Sequence, residues 1–252
     1  MTERMMGIDV GGSGIKGGIV DLGTGELISD RFKLATPQPS KPNAVADTIA
    51  EIVRMASWDG PVGCTLPVVV QHGFVRTAAN VDPDWIGMDG CTLLGERLER
   101  SVTLMNDADA AGIAEMEYGV GRDHPDRDGV VILLTFGTGI GSGVFTGGRL
   151  VPNTELGHLQ MWGDSAEERA SSNAKDDESL GWKAWSGRVS EYLQYVETLF
   201  WPDLFIFGGG ISKKHEKFLH RLEVRTPVLP AALRNNAGIA GVALAAARRI
   251  QP

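Results

Sequence analysis

The 252-residue chain has little cysteine, only Cys64 and Cys91, and neither lies in a C-x-x-C pair or beside histidines at zinc-ligand spacing. A disulfide framework is excluded, and a reducing cytoplasm is the expected setting. Long apolar runs are missing too. The strand-like apolar stretch Val130–Phe136 has only seven residues, far below the roughly 18 of a membrane span. Glu3 and Arg4 interrupt the N-terminal segment where a signal peptide would be apolar. Neither secretion nor a membrane partner is expected. A basic excess is absent as well: 24 Lys and Arg against 32 Asp and Glu give a net charge of −8, which supplies no field for nucleic acid or anionic lipid. Any polyanion must be gripped locally.

What the chain has in excess is glycine, 33 residues, well above the usual share of about 7%. Glycine supplies positive φ and close backbone approach, so loops shaped around a ligand are expected. With 42% apolar residues the chain can fill a core and form one or two domains.

Read from the N-terminus, Met5–Val10, Ile15–Asp21 and Leu27–Leu34 are predicted strands, a meander whose first turn is Gly11-Gly12-Ser13-Gly14. Val45, Ile49, Ile52 and Val53 follow Pro42 at helical spacing. Short strands are predicted near Val62–Leu66, Val68–Gln71 and Val102–Met105, then a helix over Asp109–Tyr118. The polar stretch Gly119–Gly129 reads as a boundary loop. Beyond it the opening pattern returns: the strand Gly129–Phe136, the turn Gly137-Thr138-Gly139, then the strand Ser142–Phe145. A third glycine turn, Gly208-Gly209-Gly210, precedes a helix-like Ser212–Leu219, and Arg188–Phe200 and Gly238–Ile250 complete the helices. The alternation predicts an α/β fold. The duplicated opening predicts two lobes facing one cleft, 1–118 and 119–252, with the C-terminal helix of the second returning towards the first.

One turn of Asp9 to Gly14 is equally a tight hairpin or a phosphate cradle, in which bare backbone N–H groups and the Ser13 hydroxyl meet phosphate oxygens and Lys16 adds charge. Two such turns in matching positions favour phosphate. The first is not a P-loop, lacking GxxxxGK[ST], and not a dinucleotide fingerprint, since a strand follows Gly14. In Asn106-Asp107-Ala108-Asp109, Asp109 is the expected helix N-cap, which leaves Asp107, at a strand end, as a candidate general base. Glu155 and His158, three apart across Gly157, form a donor and acceptor pair suited to sugar hydroxyls, or an ordinary surface pair. The run Asp164–Glu178, net −4, reads as a solvated face, while Ile211–Arg225, net +3, is a local basic patch near the third turn.

With these residues in hand the sequence resembles the ROK family of sugar kinases and repressors, and within it the branch that uses inorganic polyphosphate. The stretches that carry this are Gly7–Lys16, Ala78–Asp82, Asn106–Gly112, Gly137–Gly141, Glu155–His158, Phe207–Lys214 and Arg225–Ala231. The resemblance implies an actin-like ATPase (ribonuclease H-like) fold and transfer of a phosphoryl group from polyphosphate, or also ATP, to the 6-hydroxyl of glucose. The alternative is an ATP-preferring glucokinase, or a glucomannokinase that also takes mannose. Asp107 would be the catalytic base. Asn80, Asn106, Glu155, His158 and Glu167 would hold the sugar with it, and Gly11, Gly12, Ser13, Gly14, Lys16, Thr138, Gly139, Gly209, Gly210, Lys213 and Lys214 the phosphates. Asp9 would lie near Mg²⁺, through water. A homodimer is implied. Many family members bind structural zinc through cysteines after the Glu-x-Gly-His motif; Leu159–Gly187 contains none, so no zinc is expected. The helix-turn-helix of the family's repressors would have only six residues ahead of Gly7. Thr65-Leu66-Pro67-Val68 departs from the family pattern, with Val68 a candidate to crowd the sugar-side strand, and residues 55–62 look shortened.

Overall fold

A computed structural model describes residues 3–250 and 252. The chain divides into two compact units, residues 1–114 with 236–252, and residues 115–235. The first unit ends at 114, near the expected 118, and the C-terminal helix, expected to return from the second lobe towards the first, counts with the first unit.

In the first unit, β1 (Arg4–Val10), β2 (Gly14–Asp21) and β3 (Phe32–Ala35) form the meander, and β4 (Val62–Leu66) and β5 (Val102–Asn106) extend the sheet in parallel, in the order β3-β2-β1-β4-β5. The third strand starts later than expected, because Leu27 makes only an isolated bridge to Val20. Between β3 and β4 runs α1 (Pro42–Met55). Proline at its first position needs no N–H partner, and Val45, Ile49, Ile52 and Val53 turn inward. A second helix, α2 (Gly90–Leu98), was not foreseen; Asp89 caps it by accepting the Thr92 N–H at 2.9 Å. Val68 is buried in this core, so its side chain packs rather than projects.

The C-terminal helix, Ala237–Arg248, lies directly on this sheet. A Cβ on Gly7 would come within 2.1 Å of the Ile239 carbonyl oxygen, one on Gly63 within 2.2 Å of Val242 O, and one on Gly241 within 1.7 Å of Ala110 O. Backbone touches backbone at three points, and side chains there would force the layers apart.

The second unit repeats the plan. β6 (Val130–Phe136), β7 (Ile140–Thr146) and β8 (Arg149–Val151) form a meander, and β9 (Leu204–Gly208) and β10 (Val228–Pro230) extend it in parallel, in the order β8-β7-β6-β9-β10. Its core is aromatic. Phe136 on β6 stacks on Phe207 of β9 at 4.2 Å between centroids, and Trp185 and Tyr192 meet Phe136 edge-on. The last two come from the 19-residue helix Trp182–Phe200. That helix starts six residues before the expected Arg188.

Candidate active site

The site residues are set by the two meanders and by a helix that follows β5. Within the first unit, the β1–β2 register places Asp9 opposite Lys16, with Nζ 3.6 Å from Oδ2. Thr65, the residue beside Asp9 on β4, donates its hydroxyl to Asp9 Oδ1 at 3.0 Å and accepts the Val10 N–H at 3.3 Å. A Cβ on Gly238, in the first turn of the C-terminal helix, would lie 3.0 Å from Asp9 Oδ1. The carboxylate thus abuts the positive end of that helix.

The turn after β1 is closed by Gly11 N–H to Gly14 O, 3.1 Å. Its carbonyls are turned outward: Gly11 O accepts the Thr36 hydroxyl at 2.6 Å and Gly12 O the Gln38 amide at 3.2 Å. Because a trans peptide points its C=O and N–H in opposite directions, the N–H groups of Gly12 and Ser13 face away from those partners. Gly12 has open space beside it, with nothing within 4 Å of an added Cβ. Neither this turn nor Gly137–Gly139 uses a positive φ, unlike glycines such as Gly25, Gly73 and Gly209. In these two turns glycine supplies room.

At the end of β5, Asn106 accepts the N–H groups of Ala108 at 2.8 Å and Asp109 at 3.2 Å, and donates its amide to Val68 O at 3.1 Å. Asn106 is the cap, and α3 (Asp107–Glu117) begins one residue later. This corrects the expectation that Asp109 caps the helix: it is the third helical residue and fully buried. The correction leaves half-buried Asp107 as the first helical residue. Asn80 is exposed on the loop before the Asp82-capped turn Pro83–Trp85.

Within the second unit the Glu-x-Gly-His turn is docked on β7. Leu156 N–H donates to Ser142 Oγ at 3.0 Å, and a Cβ on Gly157 would come within 2.2 Å of Ile140 O. His158 lies between two carboxylates, Nε2 3.4 Å from Glu155 and Nδ1 3.5 Å from Glu167. Glu167 in turn accepts the Ile140 N–H at 2.9 Å, the first amide after the second glycine turn. Burial raises the Glu155 carboxyl above its ordinary range; the His158 charge opposes this and the Glu167 charge adds to it. Most of the acidic run that holds Glu167 is solvated, as expected: Asp164, Glu168, Asp176, Asp177 and Glu178 are exposed. It folds into two short helices, Ala166–Ala170 and Ser172–Asp177, with Ala166, Ala170 and Ala174 buried. The Trp185 indole N–H fixes them by donating to Ala170 O and Ser171 O at 3.0 and 3.1 Å.

The third turn differs in kind. Gly209 has φ +82°, and the Ser212 hydroxyl closes it on Gly209 O at 2.8 Å. The expected helix Ser212–Leu219 is a run of 3₁₀ turns over Gly210–Lys217, interrupted at Lys214; Gly210, Lys213 and Lys214 are exposed.

The structure therefore brings together Asp9, Lys16 and the first turn in one unit, and Glu155, His158, Glu167 and Gly139 in the other. Sequence reasoning missed Thr65, Thr36 and Gln38, whose partners lie 25 or more residues away and leave no local signature. The first unit thus carries outward-facing amides and a carboxylate at a helix start, and the second a Glu-His-Glu group.

Comparison with known proteins gives the family. The model of the ROK family matches residues 5–175. The polyphosphate glucokinase of Mycobacterium tuberculosis H37Rv is 58% identical over 246 residues, covering 97% of this chain and 92% of its own length. The inorganic polyphosphate/ATP-glucomannokinase of Arthrobacter sp. strain KM superimposes with TM-score 0.93 at 48% identity, over 98% of this chain and 99% of that one. A ROK glucokinase from Streptomyces griseus, solved with glucose and AMPPNP, gives TM-score 0.82 at 25% identity, over 98% and 100%.

Proposed function

The chain belongs to the ROK family, with its actin-like ATPase fold, and on that premise we propose that it transfers the terminal phosphoryl group of inorganic polyphosphate to the 6-hydroxyl of glucose. The observation that carries the reading is Glu167, which ties the Ile140 amide of the second glycine turn to His158. Phosphate turn and hydroxyl-binding residues are thereby joined through one carboxylate.

In this reading Asp107 accepts the proton of the glucose hydroxyl as the phosphoryl group arrives. Glu155 and His158, with Asn80 and Asn106, hold the remaining hydroxyls. Asn106 has one amide hydrogen left for this after Val68. The amides of Gly12 and Ser13, the turn Thr138-Gly139, and Lys16 meet the phosphates; Gly209, Gly210, Lys213 and Lys214 meet the donor further along. Magnesium suits this donor set. Asp9 offers a single carboxylate already steadied by Thr65 and Lys16, and no cluster of three ligating residues occurs among the described residues. Mg²⁺ commonly uses one or two carboxylates plus substrate phosphates and retained waters, so Asp9 would hold it through water. The ion supplies charge neutralisation at the phosphate oxygens.

ATP as a second donor and mannose as a second sugar are favoured by the close match to the Arthrobacter glucomannokinase. The test is a coupled assay of glucose 6-phosphate formation with polyphosphate and ATP supplied separately. Turnover with polyphosphate is expected, and Asp107→Asn is expected to lower kcat by about 10² to 10⁴. No turnover with polyphosphate would refute the donor, and an unchanged kcat would remove Asp107 from the mechanism.

A further inference from the structure

Two lysines from oppositely charged stretches of sequence share one aromatic ring. Lys175, from the acidic run, places Nζ 4.6 Å from the centroid of Trp182, and Lys217, from the basic patch, places its Nζ 5.8 Å from the same centroid. Trp182 itself is half-buried and stacks on Phe218 at 5.8 Å. Each ammonium gains from the ring, so one side chain gathers two positive charges from separate segments. An anion that reaches the ring meets both.

The segments carrying these lysines both set out from the second glycine turn. On one side Asn173 N–H donates to Gly137 O at 3.1 Å, and Lys175 follows two residues later. On the other, Gly209 is pressed against the backbone of Phe136, where a Cβ would lie 2.3 Å from Phe136 O. The chain then runs through exposed Lys213 and Lys214 to Lys217 and Phe218. The two segments diverge from Phe136–Gly137 and meet again at Trp182. Over Gly210–Lys217 the charges are three lysines against Glu216, a local excess on a chain of net −8.

Resting on the polyphosphate reading above, we propose that Trp182, Lys175 and Lys217 form a tail subsite, which holds phosphate units of the donor lying beyond the end gripped at Gly137–Gly139. Lysine suits this as a compact point charge that needs no fixed phosphate geometry. A donor carrying charge on every unit binds with release of its counterions, as other polyanions do. One group opposes binding: Asp176 Oδ1 lies 3.1 Å from the Lys175 ammonium. Its side chain is 73% exposed, and it competes with phosphate for that lysine.

The experiment compares KM and kcat for long-chain polyphosphate, tripolyphosphate and ATP in the wild type, Lys217→Gln, Lys175→Gln/Lys217→Gln and Asp176→Asn. Because the Lys175 side chain is only 14% exposed, the exposed Lys217 carries the primary test. Lys217→Gln is expected to raise KM for long chains roughly two- to fivefold, with a shallower salt dependence, and to leave KM for tripolyphosphate, ATP and glucose unchanged. The double variant should raise it further, and Asp176→Asn should lower it. An unchanged long-chain KM in Lys217→Gln, or an equal rise for tripolyphosphate and ATP, overturns the tail subsite. A wild type that uses no polyphosphate refutes the underlying function instead, so the two failures are distinguishable.

Discussion

Replacing Gly157 by alanine probes whether the hydroxyl-binding turn and the second glycine turn work as one body. The added Cβ would sit 2.2 Å from Ile140 O and 3.1 Å from the Ile140 carbonyl carbon, whereas ordinary contact begins near 3.4 Å. Something must move by more than about 1 Å, and the obstacle is strand backbone rather than a flexible side-chain tip. Overpacking of this kind costs about 1–3 kcal/mol. The displaced residue is the one whose N–H reaches Glu167 at 2.9 Å, so the shift passes to His158 and the sugar. A misplacement of about 1 Å can cost about 10²-fold in rate, and a fall of that size in kcat/KM for glucose is expected. Thermal unfolding and steady-state kinetics on the same preparation check both effects. A folded Gly157→Ala variant with wild-type kcat/KM would refute the coupling of the two turns.

Gly137→Ala supplies the contrast: nothing lies within 4 Å of its added Cβ, so stability should stay within about 0.5 kcal/mol while KM for the phosphoryl donor rises, read by unfolding and kinetics side by side. For Glu155, burial raises the folded carboxyl above its ordinary 4.5, so the folded state binds the proton more tightly than the unfolded one. Its contribution to stability is therefore greatest at acidic pH and is lost as pH rises through the raised folded value. Glu155→Gln should accordingly gain stability relative to wild type as pH goes from 4 to 8, while KM for glucose increases; a stability difference independent of pH contradicts the burial argument. Glu115, fully buried, accepts the N–H groups of Val120, Ala232 and Leu233 at 3.2, 3.1 and 2.7 Å. Glu115→Gln turns amide hydrogens toward some of these donors and should cost about 1.5–3 kcal/mol in urea unfolding; near-wild-type stability would show that the carboxylate is dispensable.

The parts legible in the sequence were those written in short-range patterns. Alternation and glycine turns exposed both meanders, and the spacing of Val45, Ile49, Ile52 and Val53 exposed α1. What escaped was decided at long range. Asn106 and Asp109 are both good caps in sequence; only the carbonyl of Val68, 38 residues away, orients the Asn106 amide so that its oxygen faces the helix. The expected helix starts only at Arg188, yet Trp182 stacks on Phe218 and Trp185 fills the core, and this packing sets the helix start. Glu167 stood within a run whose net charge suggested solvent. Buried Ala166 and Ala170 on either side anchor it: the small residues, not the charges, face the core, and most of the run is solvated as its charge suggested.

Glycine is where counting and geometry part most clearly. An excess of glycine suggested backbone freedom, but both glycine turns of the candidate site keep ordinary φ, and at Gly7, Gly63, Gly157 and Gly241 the missing Cβ is what lets one backbone touch another. The residues therefore act in two ways that one composition figure cannot separate. Gly12 and Gly137 keep space open for a ligand, so a methyl there should harm binding and spare the fold. Gly157 and Gly241 close space between elements, so a methyl there should harm the fold first and binding as a consequence. If alanine at the open and the closed positions produced the same balance of stability and KM effects, the assignment of the two turns to phosphate would lose its structural basis.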